Sequence, residues 1–249
     1  MLIVSDTAPG TSERSWLEGS HLHALPSFAW EAGAPLVVVA PHPDDEVLGA
    51  AGLLRVAARS GSAIVIVAVT DGEASHPGTR WCGERLAARR RAESAEALDR
   101  LAIGPVDVVR CSLPDSAVAD HEDRLAGMLR DLLGPASCCA ATWRFDGHPD
   151  HDATGRAAAR AATATGATLL EHPIWAWHWA TPDGGLPLGR ARRLDLSIAD
   201  HRAKGRAIAA FTSQIEPLGP RPEERAVLPP AVRARFERRF EVHLCESPT

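Results

Sequence analysis

Tyrosine is missing from all 249 residues, methionine occurs twice, and the one lysine is Lys204, so arginine carries nearly all the positive charge. Abundant alanine accompanies that skew; together they read as genomic base-composition bias and point to no site. The five cysteines, Cys82, Cys111, Cys138, Cys139 and Cys245, are odd in number and form no C-x-x-C pair. Neither a disulfide framework nor a cysteine-built structural zinc site is indicated, and reduced thiols are expected. The longest apolar runs, Leu36 to Ala40 and Ala63 to Val69, fall far short of the roughly 20 residues a membrane helix needs. The first thirty residues show no basic-then-apolar signal pattern. A soluble, cytoplasmic protein is the expectation. With a formal net charge of -5, a pI near 6.1 and no basic run, nucleic acid is an unsuitable partner. No Gly-x-Gly-x-x-Gly follows the first strand candidate, which argues against a dinucleotide role.

What is present is enough apolar residue, 45% of the chain, for one sizeable core. Apolar strand candidates recur at 36 to 40, 64 to 69, 106 to 110, 138 to 143 and 168 to 175, with helical patterns between most of them. That alternation predicts a single-domain α/β fold, Rossmann-like, with a mostly parallel sheet and helices on both faces. Residues 1 to 34 read as a leader packing on a domain of residues 35 to 249. Residues 216 to 232 read as a surface loop, and Phe236 to Leu244 as a late strand or docking arm.

Two loops carry the chemistry. Pro41-His42-Pro43-Asp44-Asp45-Glu46 comes straight after Leu36 to Ala40, at a strand end, where open α/β sheets bind ligands. His42 offers an imidazole nitrogen and Asp45 a carboxylate oxygen, a pair that one zinc ion accepts. Asp44 points differently and is placed to take a proton from a water on that ion. Alternatively, Asp44, Asp45 and Glu46 merely cap a helix N-terminus. The second loop, Gly147-His148-Pro149-Asp150-His151-Asp152, follows Cys138 to Trp143 and precedes the helical stretch Ala153 to Thr163. Catalytic zinc usually has three protein ligands. His151 can be the third, which leaves His148 to protonate a leaving amine or stabilise an oxyanion.

His42 to Glu46 and His148 to His151 resemble the paired signatures of the PIG-L/LmbE-like zinc de-N-acetylases. These enzymes remove acetyl groups from N-acetylglucosamine-containing glycolipids, pseudodisaccharides and antibiotic precursors. Thr70-Asp71-Gly72-Glu73 after Val65 to Val69 resembles the family's next turn, and the likeness runs from about Leu36 to Gln214. It implies zinc on His42, Asp45 and His151, Asp44 as base, and His148 as electrostatic or acid partner. Asp150, next to His148, would orient it or tune its pKa. Arg90, in an Arg-x-x-Glu pattern on the helical stretch Glu84 to Leu101, would reach substrate hydroxyls, though an exposed face of paired charges explains it equally well. Some relatives place a tyrosine near the second loop to help stabilise the oxyanion; this chain has none, so zinc and His148 would do more.

The Trp-rich stretch Glu171 to Trp179 has strand period, so Trp177 and His178 could line the pocket, with core packing the alternative for at least one tryptophan. The resemblance implies a zinc-dependent, or other divalent metal such as Fe2+, hydrolase acting on a small-molecule N-acetylated amino sugar. It also leaves room for a homo-oligomer. The rival readings are a zinc amidase cutting another amide, such as that of a thiol conjugate, and a noncatalytic sugar- or nucleotide-binding module.

Overall fold

The computed structural model describes residues 10–246. Seven strands, β1 (Leu36–Ala40), β2 (Ile64–Ala68), β3 (Asp107–Arg110), β4 (Cys138–Thr142), β5 (Thr168–His172), β6 (Ala191–Asp195) and β7 (Phe240–Cys245), form one sheet in the order β3-β2-β1-β4-β5-β7-β6. The first five are parallel, and β7 runs antiparallel to both β5 and β6. The expected α/β class and mostly parallel sheet are therefore what the chain adopts. The helices are α1 (Glu13–Glu18), α2 (Asp45–Arg59), α3 (Glu84–Leu101), α4 (Glu122–Leu132), α5 (Pro149–Thr165), α6 (Ala176–Trp179), α7 (Ile198–Ile208), α8 (Thr212–Ile215) and α9 (Pro230–Arg233).

The period-2 alternation of strand side chains divides the core into two layers. Leu36, Val38, Ile66, Cys138, Ala140 and Leu170 face one layer, which also takes in Leu53, Leu54 and Phe211. Val37, Val39, Val67, Cys139, Ala141 and Leu169 face the other, which includes Leu125, Leu129 and the alanine face of α5. Strands buried on both sides explain why β1 and β4 read as unbroken apolar runs. Gly155 lets α5 lie against β4, since a Cβ there would come within 2.5 Å of the Thr142 carbonyl oxygen. That close approach sets the height of His151, one turn earlier.

β5, the Trp-rich stretch after it and β6 depart from the sequence reading. β5 stops at His172 instead of running to 175, because the Asp146 carboxylate captures the backbone N–H groups of Ile174, Trp175 and Ala176 and turns the chain into α6. The Trp-rich stretch is thus a helical turn, not a strand. β6, with sequence Ala-Arg-Arg-Leu-Asp, has too few apolar residues to show as a strand and forms by pairing with β7. Residues 10 to 34 lie back on the domain through buried Trp16 and a bridge between Ser27 and Arg193; residues 1 to 9 of the expected leader lie outside the described residues. Among the described residues, no helix is long and apolar enough to cross a membrane.

Candidate active site

β1 has β2 on one side and β4 on the other, in register Val37 with Val65 and with Cys139, so connections diverge at its C-terminal end. This switch point is where a doubly wound sheet opens a crevice. The two His/Asp loops follow β1 and β4 and therefore emerge side by side.

In the first loop, the His42 N–H donates to Asp45 Oδ2 at 3.0 Å, closing a tight turn. Asp44 sits at φ 142°, ψ -29°, a conformation that costs an L residue about 1–3 kcal/mol. Neighbours hold it there: the Asp44 N–H donates to Glu46 Oε2 at 3.0 Å, and Ser94 Oγ donates to Glu46 Oε1 at 2.6 Å. Glu46 is buried as a backbone clamp. Burial pushes its carboxyl up, with Ser94 opposing. The Asp44 side chain makes no helix-capping hydrogen bond, so the capping explanation does not account for it.

His42 Nδ1, Asp45 Oδ2 and His151 Nε2 form a small triangle with sides of 3.2, 3.3 and 3.4 Å. Zinc bonds of about 2.0–2.1 Å in tetrahedral geometry separate neighbouring donors by about 3.3 Å. The donor set and spacing therefore fit a zinc ion. Two wider groups, His42 with His148 and His151, and His42 with Asp115 and Asp150, also bring ligand atoms within 4.8 Å. The compact triangle is the better fit, because His42 Nε2 is occupied by Asp115 at 3.2 Å and Asp150 at 3.3 Å, which aims Nδ1 at Asp45 and His151. His151 is backed the same way by Asp146, 2.8 Å from its Nδ1.

Asp150 departs from its expected place. Its carboxylate serves His42 and the N–H groups of Ser116 and Val118, at 2.7 and 3.1 Å; only its backbone N–H meets His148. Asp115 and Asp146 were not singled out from the sequence, yet each lies a few residues beyond a strand's C-terminal end, the one signal that marks them.

The electrostatics follow from these contacts. Burial lowers the affinity of His42 and His151 for protons, yet Asp115, Asp150 and Asp45 around His42, and Asp45 and Asp146 around His151, outweigh it and hold both imidazoles above their usual value. Burial alone would raise Asp45, but His151 and His42 keep its carboxyl far below the carboxylate range. The sign for cation binding is then fixed. Protons held on these imidazoles compete with a divalent ion, so its affinity must rise with pH as they are lost. Calorimetric zinc titrations in buffers of different ionisation enthalpy are expected to show net proton release that shrinks as pH rises; none at any pH would contradict this electrostatic account.

Burial pushes Asp44 up to about 7, with Arg90 opposing. Arg90 is buried, not on an exposed face: it donates to Gly72 O at 3.0 Å, Pro43 O at 2.9 Å and Asp44 Oδ2 at 3.1 Å. Gly72, at φ 68°, is needed there, since a Cβ would fall 2.1 Å from Arg90 Nη1. Glu93 of the same pattern turns instead to Thr212 and Ser213 and fastens α8 to α3. His148 Nδ1 accepts the Asp150 N–H at 3.3 Å, which puts the ring proton on Nε2. Burial, then His151 and His42, bring this imidazole down to about 3, so it is neutral.

These groups floor a cleft of about 410 Å³ whose walls include Ile174, Trp175, Val227 and Leu228. Trp177 and His178 do not line it. Trp177 is in the core, edge-on to Trp16 at 5.0 Å with Arg238 stacked 4.2 Å above it, and His178 is buried beside it. Trp175 is the tryptophan that the α6 turn presents to the cleft.

Fold and donor set together define an α/β protein with a candidate mononuclear metal centre at the sheet's switch point. The family model PIG-L, described as GlcNAc-PI de-N-acetylase, matches residues 37–162, just over half the chain, and the chain belongs to this family. Among solved structures it is similar to the A40926 pseudoaglycone deacetylase (20% identity, TM-score 0.63, covering 86% of this chain and 97% of that one). It is also similar to the conserved protein TT1542 from Thermus thermophilus (25%, TM-score 0.60, 87% and 95%). A third likeness is to the N,N'-diacetylchitobiose deacetylase from Pyrococcus horikoshii (20%, TM-score 0.55, 71% and 69%). No curated protein sequence matches the chain.

Proposed function

We propose that the chain is a zinc-dependent hydrolase that removes an N-acetyl group from an amino sugar or an amino-sugar-containing metabolite. In this reading, residues 35 to 249 form the catalytic domain. The observation that carries the proposal is the triangle of His42, Asp45 and His151 donors at metal-ligand spacing, with buried Asp44 beside it on the floor of one cleft. Family membership supplies the reaction class. Zinc, when bound, supplies Lewis acidity toward the amide carbonyl and makes a water molecule more acidic.

The remaining work falls to the protein's side chains. Asp44, positioned by Arg90 and by its clamped backbone, takes a proton from the attacking water as the new C–O bond forms. His148, neutral and with its hydrogen on Nε2, donates to the oxyanion of the tetrahedral intermediate. The C–N bond then breaks, and the departing amine takes the proton that Asp44 received. Trp175 and its apolar neighbours cover the sugar's C–H faces and exclude bulk water from the cleft, leaving the attacking water in place.

The test is a panel of N-acetylated amino-sugar glycosides alongside other amides, including thiol conjugates, incubated with zinc-loaded protein. Acetate and primary amine should appear in equal amounts from the amino sugars. Cleavage confined to other amides would replace the substrate assignment while leaving the hydrolytic machinery in place.

A further inference from the structure

Leu48 lines the catalytic cleft and also a second, much smaller cavity of about 20 Å³, room for one water-sized species. The polar lining of this second cavity is His172, Lys204, Arg235, Arg238 and Glu241, all buried. Its charges do not balance. Lys204 pairs with Glu241 at 2.7 Å, and Arg238 makes a two-pronged pair with Glu13 at 2.8 and 2.6 Å. Arg235 has no carboxylate partner among the described residues; its Nε and Nη2 donate only to the Thr11 carbonyl, at 3.2 and 2.6 Å.

Unfilled hydrogen-bonding capacity gathers at the same place. Arg235 Nη1 and both ring nitrogens of His172 are buried without a hydrogen-bond partner among the described residues. Lys204 donates to Leu48 O at 2.8 Å and to Glu241, which leaves one of its three N–H bonds over. Glu241 already accepts from Lys204 and the N–H groups of Gly52 and Leu53, and His243 Nε2 lies 3.6 Å from its Oε2. A water here would face several donors and would find few acceptors for its own hydrogens. An anion needs no acceptor, and it offsets the unpaired guanidinium, whose burial is otherwise costly.

We propose that this cavity binds one small monovalent anion of the halide type, held by Arg235 Nη1, Lys204 and a His172 N–H, which fastens the C-terminal segment and the chain at Thr11 onto α2. The cavity's size excludes sulfate and phosphate. Glu241 holds the α2 backbone from the same cavity, so the site braces the helix that begins with Asp45.

Bromide is the probe. Crystals of the zinc-loaded protein grown in bromide should show an anomalous peak in contact with Arg235, Lys204 and His172. In solution, replacing gluconate by chloride at constant ionic strength should raise Tm saturably, by roughly 3–6 °C at ten times the dissociation constant. Arg235→Gln should abolish that increment. Density for a water without anomalous signal, or equal Tm in chloride and gluconate, would overturn the proposal. The bromide measurement on the unsubstituted protein stands even if Arg235→Gln fails to fold.

Discussion

Asp44→Asn is expected to lower kcat by roughly 10²- to 10⁴-fold, the usual contribution of a positioned general base, while zinc content stays near one per chain. The expectation rests on placement. Asp44 is buried next to the ligand triangle without belonging to it, and its Oδ2 is held by Arg90 at 3.1 Å. Asparagine keeps the size and can remain in the strained backbone conformation, since Asn tolerates positive φ better than most residues. The change therefore removes proton acceptance and little else. Metal analysis and steady-state kinetics on one preparation check it, and turnover within a few-fold of the parent would remove Asp44 from the mechanism.

His151→Ala is expected to have the largest effect of all, loss of both stoichiometric zinc and activity. Its Nε2 is one of three donors within 3.4 Å of each other, and Asp146 fixes the ring from behind. Removing it leaves His42 and Asp45, too few protein ligands for a catalytic zinc. His148→Ala should behave differently, keeping the metal and losing turnover, because its hydrogen-bonded Nδ1 and neutral ring suit an oxyanion donor. Full zinc occupancy in His151→Ala would show that the wider group of His42, Asp115 and Asp150 holds the ion instead.

The features legible in the sequence are those whose physical signal is local. β1 and β4 were legible because strands buried on both faces spell continuous apolar runs, and the loops after them because His and Asp at a strand end have few structural uses. The fold class followed from the alternation of those runs with helices. β6 was not legible: its stability comes from pairing with β7, far away in sequence. The Trp-rich stretch misled for a related reason. Alternation of large and small residues predicts a strand, but the carboxylate of Asp146, about 30 residues earlier, wins by satisfying three consecutive backbone donors. Asp115 and Asp146 escaped notice because carboxylates that orient a histidine have no fixed spacing to it. Asp150 looked like a partner of His148 by adjacency, whereas the start of α5 turns its side chain toward His42 and the Ser116–Val118 backbone.

The central claim is that one zinc ion, held by His42, Asp45 and His151, makes this chain a de-N-acetylase. The most direct test strips the protein with a chelator and adds zinc back in steps while acetate release from an N-acetylated amino sugar is recorded. The account predicts no release from the stripped protein and a linear rise that breaks at one zinc per chain. Undiminished release from protein shown to be metal-free would contradict it.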